Sequence, residues 1–335
     1  MRLDSSRLHF RRRPDVDFEI HAAGQIFMVA FKKSTSAAPI AATVSQLLEI
    51  VKRERRSMVP VVAVPFMGNV GRNICAQAGV NWFDLSGNAH IVAKGIRVVV
   101  EGRTNRFKTV GRPTNLFASK SSRVARWLLM HPYESFTQRE ISRAVDMTEG
   151  FVSRIVVRLE QEGYVIRDKG SAIRPKDPAL LLDAFREVYD FSRHRILQGN
   201  VAARSGESLL RSACATFASQ NIEYAATGLA AAWIYTHFAA FRIVSVYLSA
   251  PPSSNLLERL EFREEARGAN LWLVVPNDAG VFHGVEEKNG TRCVHPVQAY
   301  LDLKGHPERS AEAAQRLRDE YLKWNHNGQE TKSSV

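Results

Sequence analysis

Three cysteines in 335 residues, Cys75, Cys214 and Cys293, are too few and too far apart for a disulfide framework, and none has the paired spacing of a zinc knuckle. They read as reduced, structural thiols. No stretch approaches the roughly 18 consecutive apolar residues that a spanning helix needs, so no membrane association is expected. The basic start MRLDSSRLHFRRRPDVDFEI has no apolar run behind its charges and does not read as a secretory signal, which places the expected location in the cytoplasm. Glycine-rich phosphate loops, a Ser-His-Asp arrangement, internal repeats and long low-complexity tracts are missing as well. What remains, 45% hydrophobic and 24% charged residues, is an ordinary globular composition with length for two or three domains.

Negative charge is scarce in one place above all. Between 103 and 126, RTNRFKTVGRPTNLFASKSSRVAR holds seven basic residues and no acidic one, in a chain whose net charge is +12. Such an excess favours polyanionic partners through counterion release, and its concentration ahead of a helical block suits a DNA backbone.

That block spans 119–176. A first helix is predicted over 123–130. Thr137 followed three residues later by Glu140 makes a capping box that starts a second helix over 137–145. A turn over 146–148 leads to a third helix capped by Thr148, whose Val152, Ile155, Val156 and Leu159 fall at i, i+3, i+4 and i+7 and must face a core. The opposite face presents Gly150, Phe151, Ser153, Arg154 and Arg158. In a helix-turn-helix the first turns of the recognition helix reach base edges in the major groove. Arg154 is expected to pair with guanine and Arg158, one turn later, to meet phosphate. Gly163 closes the helix, and two short strands over 164–167 and 172–174 form a wing around Asp168-Lys169-Gly170-Ser171. Arg167, Lys169 and Arg174 on that wing, with Thr137, Gln138 and Thr148 at the helix starts, complete the expected DNA-binding set. The run FTQREISRAVDMTEGFVSRIVVRLEQEGYVIRDKG resembles the MarR-like winged helices of bacterial transcription factors.

Upstream, 15–110 reads as an α/β domain with helices over 40–56 and 69–78, a strand over 58–64, and a hairpin of strands 82–92 and 96–101. Asp84-Leu85-Ser86-Gly87-Asn88 interrupts the first hairpin strand with polar residues. One reading is a nuclease-like Asp…Glu-x-Lys hairpin in which Asp84 and Glu101 ligate Mg²⁺, but the third position is Arg103, which does not readily surrender a proton. The other is that Asp84 and Asn88 hydrogen-bond a tight turn. A degenerate nuclease-like scaffold without catalysis is expected. Downstream, 177–205 reads as a connecting helix, 206–324 as a second α/β domain with strands over 242–248 and 270–275, and 325–335 as a disordered tail. Thr227-Gly228 before a small-residue helix resembles the opening of a nucleotidyltransferase fold, yet the strand FRIVSVYLS lacks the acidic pair that would hold Mg²⁺. His283, Cys293 and His295 fall short of four zinc ligands. No metal and no cofactor is expected. The fold class is thus multi-domain α/β, a central winged helix-turn-helix between nuclease-like and nucleotidyltransferase-like domains.

Taken together, DLSGNAHI, the winged helix, ATGLAAAWIY and HPVQAYLDL resemble the AbiEi-type antitoxins of bacterial type IV toxin–antitoxin systems, over roughly residues 60–320. Many of these carry the winged helix at the N-terminus, whereas here it lies mid-chain. The resemblance implies an operator-binding, autoregulating repressor. The expected function is a non-enzymatic transcriptional regulator of double-stranded DNA, a homodimer because one winged helix reads one short half-site, with a protein partner in the antitoxin case. Two alternatives stand beside it: a Mg²⁺-dependent nuclease guided by the winged helix, and an interaction adaptor or antitoxin for which DNA is secondary.

Overall fold

The computed structural model describes residues 9–11, 16–22, 24–54, 57–107, 116–168, 170–238 and 240–324. Lys169 and the expected tail over 325–335 lie outside the described residues. Among the described residues no helix is long and apolar enough to cross a membrane. The fold is mixed α/β and falls into two compact units: residues up to 107 with 161–163, and residues 116–160 with 164–324. The blocks at 119–176 and 206–324 therefore lie almost wholly within the second unit.

The first unit contains β1 (His9–Arg11), β2 (Phe18–Ala22), β3 (Gln25–Phe31), α1 (Ala37–Arg53), β4 (Met58–Val64), α2 (Asn69–Gln77), β5 (Asn81–Asp84), β6 (Ala89–Ala93) and β7 (Ile96–Val100). All seven strands form one sheet in chain order. β3, β4 and β5 are parallel neighbours, and the outer pairs are antiparallel. Parallel neighbours cannot be joined by a tight turn, which is why α1 and α2 sit between them. The central strands are apolar throughout because both of their faces are covered: Met28, Ala30, Val62 and Val64 join one cluster with Ile40, Val44 and Leu47 of α1, while Phe27, Val29, Val61 and Ala63 form another.

The single strand expected over 82–92 is two strands, because residues 85–88 leave the sheet as a turn. Buried Asp84 builds that turn. Its Oδ1 accepts from the Asn88 backbone N–H at 2.9 Å, and its Oδ2 accepts from Asn88 Nδ2 at 2.9 Å and the Met67 N–H at 3.1 Å. Gly87, at φ +102, supplies a conformation that a side chain resists. Asn88 then clamps the departing chain, donating to the Arg103 carbonyl at 3.1 Å and accepting from its N–H at 2.8 Å. Ser86 does the same one step on, between the Pro65 carbonyl and the Arg106 N–H.

The second unit opens with α3 (Ser122–Met130), α4 (Gln138–Ala144), α5 (Glu149–Gln161), β8 (Val165–Arg167) and β9 (Ile173–Pro175). It continues through α6 (Pro178–Val188), β10 (Arg195–Asn200), α7 (Gly206–Ser219), β11 (Tyr224–Thr227), α8 (Gly228–Thr236), β12 (Val244–Leu248) and α9 (Ser254–Arg259). β13 (Arg263–Glu264), β14 (Leu271–Val275), β15 (Glu286–Lys288), β16 (Thr291–Cys293), α10 (Pro296–Asp302) and α11 (Ser310–Tyr321) complete it. A second seven-stranded sheet runs β13-β10-β14-β12-β11-β16-β15. The connecting helix expected over 177–205 is corrected here. The helix stops at Val188, a 3-10 turn over Phe191–Arg193 follows, and β10 enters the sheet between β13 and β14. Asp190 forces that break by turning its carboxylate onto the Ser192 N–H at 3.0 Å.

Candidate nucleic-acid interface

The three helices α3, α4 and α5 and the β8–β9 hairpin are held by local chemistry that the sequence encodes closely. At α4 the Thr137 hydroxyl accepts from the Glu140 N–H at 3.2 Å, and the Glu140 carboxylate accepts from the Thr137 N–H at 2.7 Å. These bonds, the backbone one foremost, hold the Glu140 carboxyl below its ordinary range. The turn into α5 passes through Asp146 at φ +50, tied down by the Met147 N–H on the Ser142 carbonyl at 3.0 Å. At the far end Gly163 takes φ +75, and the Tyr164 N–H reaches back to the Leu159 carbonyl at 2.8 Å, closing α5 with a left-handed cap. Phe136 bridges to Ile173 in both directions, at 2.9 and 2.7 Å, and so fastens the hairpin to the strand-like entry of α4.

Val152, Ile155, Val156 and Leu159 of α5 are buried. Outward stand Gly150 and Arg154, both exposed, with Phe151, Ser153 and Arg158 half-buried. The Arg154 guanidinium lies 5.4 Å from the Phe151 ring centroid, a contact that stiffens a long side chain without consuming its charge. Thr148 is exposed just ahead of α5; at the start of α4, Thr137 is exposed and Gln138 half-buried. On the hairpin, Arg167 is paired with Glu160 at 3.0 Å and Arg174 with Asp168 at 3.1 Å. Arg154 and Arg158 make no such pair among the described residues, so the uncompensated positive charge of these four arginines is concentrated on α5.

Two arginines of the basic stretch face inward. Arg123 grips Asp278 with Nε at 2.7 Å and Nη2 at 3.0 Å, and donates to the Val145 carbonyl at the end of α4. Arg126, 3% exposed, donates from Nε to the Gln298 side-chain oxygen at 2.8 Å. Gln298 is itself fully buried and passes the contact on, its Nε2 reaching Asp302 at 2.7 Å and the Tyr189 and Tyr247 hydroxyls at 3.1 and 3.4 Å. Asp302 also accepts from the Thr227 and Tyr189 hydroxyls. Burial pushes its carboxyl up to about 6 against the pull of those donors. His194 accepts the Asn277 N–H on Nδ1, leaving Nε2 to carry the proton toward Tyr189 and Tyr247, and burial lowers its pKa to about 4. A buried polar chain thus runs from α3 through α10 to β11 and β12.

This chain accounts for Thr227-Gly228. Thr227 is wholly buried with its hydroxyl on Asp302, and Gly228, at φ +57, is walled by the His306 ring, so the pair faces the interior. Arg126, Gln298 and Asp302 were not singled out from sequence. The available signal was Gln298 and Asp302 four apart in HPVQAYLDL, two polar residues on one face of an otherwise apolar helix. Among the described residues no group of three or more metal-ligating side chains converges, His283, Cys293 and His295 included.

Residues 177–323 match the family model described as transcriptional regulator, AbiEi antitoxin, type IV TA system, the family that the sequence motifs resemble. A 40-residue stretch is 42% identical to uncharacterized HTH-type transcriptional regulators of Bacillus cereus, Bacillus thuringiensis subsp. konkukian and Bacillus anthracis. It amounts to 12% of this chain, and the chain spans about a quarter of the length of these relatives, 27%.

Proposed function

We propose that residues 119–176 form a winged helix-turn-helix that binds double-stranded DNA, and that the protein is a non-enzymatic transcriptional regulator of the antitoxin kind, acting as a homodimer. The observation that carries this reading is α5: a helix capped at its C-terminus, with Arg154 and Arg158 unpaired among the described residues, while Glu160 and Asp168 occupy the arginines of the hairpin. Unpaired guanidinium groups on the element that enters the major groove are available to base edges and phosphates. The description of the matched family as a transcriptional regulator and the names of the HTH-type relatives support it. A dimer follows from the short footprint of one winged helix.

On the same reading the two sheets are nuclease-like and nucleotidyltransferase-like scaffolds without catalysis. The Asp84 carboxylate is engaged by three donors, two from Asn88 in its turn and one from the Met67 N–H, and β12 carries no acidic residue.

Recovery of bound genomic DNA followed by gel-shift titration tests the proposal. Arg154→Ala should lose affinity for the recovered sequence by about 1–3 kcal/mol while leaving random DNA nearly unaffected. Arg158→Ala should weaken both alike and reduce the salt slope by about one. Equal losses on both DNAs for Arg154→Ala would remove the base contact, and failure to recover any preferred sequence would remove the regulator reading.

A further inference from the structure

The two seven-stranded sheets end differently at their edges. In the second, the edge strands β13 and β15 are two and three residues long, RE and EEK, and short charged edges of this kind discourage a further strand. In the first, the edge strand β7 is five residues long, IRVVV, with no proline and no charge after Arg97. Val98 and Val99 are 40% and 44% exposed there. Among the described residues β7 pairs with β6 and with no other strand. A long apolar edge left open is a template for another strand.

The ladder determines which backbone groups of β7 are open. Val92 of β6 turns its N–H away from β7, onto the Asn81 side-chain oxygen at 2.7 Å. Val92 is the register partner of Arg97. By the alternation of an antiparallel pair, β6 therefore takes up the N–H and C=O groups of Ile96, Val98 and Val100, and those of Arg97 and Val99 point outward. Continued by one residue, the alternation adds Glu101, before Gly102 at φ +83 turns the chain. Val98 shares a sheet face with Ile91 and Ile96, which pack on the cluster of Phe27 and Val61, so that apolar layer runs out to the open edge.

We propose that this edge is taken by β7 of a second copy of the chain, antiparallel about a two-fold axis at Val99, so that the two sheets continue as one. Open groups must meet open groups, which limits a two-fold pairing to a few registers. An axis at Arg97 sets that guanidinium against its own copy, and an axis at Val98 leaves it against Val99. An axis at Val99 places Arg97 opposite Glu101 of the second copy, twice over by symmetry, and Val98 opposite Val100 on the apolar face. Arg97 and Glu101 are both exposed, and neither makes an ion pair among the described residues. Opposite charges facing each other across strands select this register. The inference rests on the homodimer proposed above and not on what α5 binds.

The test is sedimentation equilibrium of the full chain without DNA. The unaltered protein should form a dimer. Arg97→Glu and Glu101→Arg should each weaken it by about tenfold or more, because either reversal sets two like-charge pairs in the contact. An equimolar mixture of the two variants should dimerise again, since each then offers the charges that the other lacks, and this recovery is one that misfolded chains would not show. Val99→Pro removes an outward N–H that no ladder bond uses, so it should leave a monomer with the far-UV circular dichroism of the unaltered chain. A monomeric unaltered chain, charge variants that dimerise as well as the unaltered chain, or a mixture that stays monomeric would overturn the pairing. Gel shifts of the charge variants on a single half-site report on α5 separately and should match those of the unaltered protein.

Discussion

Replacing Gln298 with methionine separates the buried polar chain at its middle while keeping the volume of the side chain close to constant. Two charge-assisted bonds disappear, the 2.8 Å contact from Arg126 Nε and the 2.7 Å contact to Asp302. Each is worth about 1.5–3 kcal/mol, because the charged partner is left in an apolar interior. Their sum is reduced by relaxation, and methionine adds little strain of its own. The expected loss is about 3–5 kcal/mol, the range found when a buried charge is deprived of its partner. Urea unfolding of the full chain, followed by fluorescence and by hydrogen exchange, should show the transition of the second unit moving to lower urea while that of the first keeps its midpoint. Arg126→Met and the double variant complete a cycle, and the two losses should overlap by about 2 kcal/mol, because each removes the same bond. A loss below about 1 kcal/mol at unchanged urea dependence, or strict additivity of the two variants, would refute the idea that this chain is a connected unit.

The Asp84 turn gives a second expectation: Asp84→Asn should destabilise the first unit by about 2–4 kcal/mol, since a buried acceptor of three donors loses its charge. Hydrogen exchange should quicken at 85–88 and 103–106 and stay unchanged in α5. If the variant instead abolishes a Mg²⁺-dependent cleavage while the turn stays protected, the turn-building role is wrong. Stability should also depend on pH in a definite direction. Burial lowers His194 and His295 from 6.5 to about 4, so between these values the unfolded chain binds protons that the folded one refuses, and stability present above 6.5 is lost as pH falls. Asp302, raised from 3.8 to about 6, opposes this, because the folded chain holds a proton that the unfolded chain releases; its contribution is full below 3.8 and lost as pH rises through 6. Asp302→Asn should therefore steepen the acid loss between pH 6 and 4 by about 1.4 kcal/mol per pH unit, and an unchanged slope in urea midpoints would count against the raised carboxyl.

Much of the local structure was legible because it is encoded within a few residues. The capping box at Thr137 and Glu140, the helical spacing of Val152 to Leu159 and the glycine at 163 each identify an element end or face without reference to the rest of the chain. Legibility failed where the partner is distant in sequence. Arg123 and Arg126 read as part of a DNA-facing basic stretch because Asp278 and Gln298, which turn them inward, lie more than 150 positions downstream. The interruption at Asp84 to Asn88 was visible, but its purpose depends on Met67, Pro65, Arg103 and Arg106, which only the folded sheet edge assembles. The 177–205 helix failed differently. Apolar residues at helical spacing end near Val188, and nothing local announces that the next apolar pair, Ile196 and Leu197, belongs to the middle of a sheet.

The inward arginines also bear on how the proposed DNA element would be used. Arg123 binds at once the carboxylate of Asp278 and the carbonyl of Val145, where α4 gives way to the turn before α5. With side chains only 12% and 10% exposed, Arg123 and Asp278 form a pair whose disruption costs about 3–5 kcal/mol. One guanidinium on α3 thus holds the end of α4 and ties the helix trio to the loop that follows β14. In a homodimer that tie would help to set the distance between two recognition helices, and half-site spacing is a geometric property of the assembly. Asp278→Asn, studied where it remains folded, should leave affinity for a single half-site intact, because α5 and its arginines are untouched. Affinity for two correctly spaced half-sites should fall by about tenfold or more, because loosening the junction lowers the effective concentration of the second helix over its site. Equal loss on single and paired half-sites would show that the junction acts on α5 itself rather than on its placement.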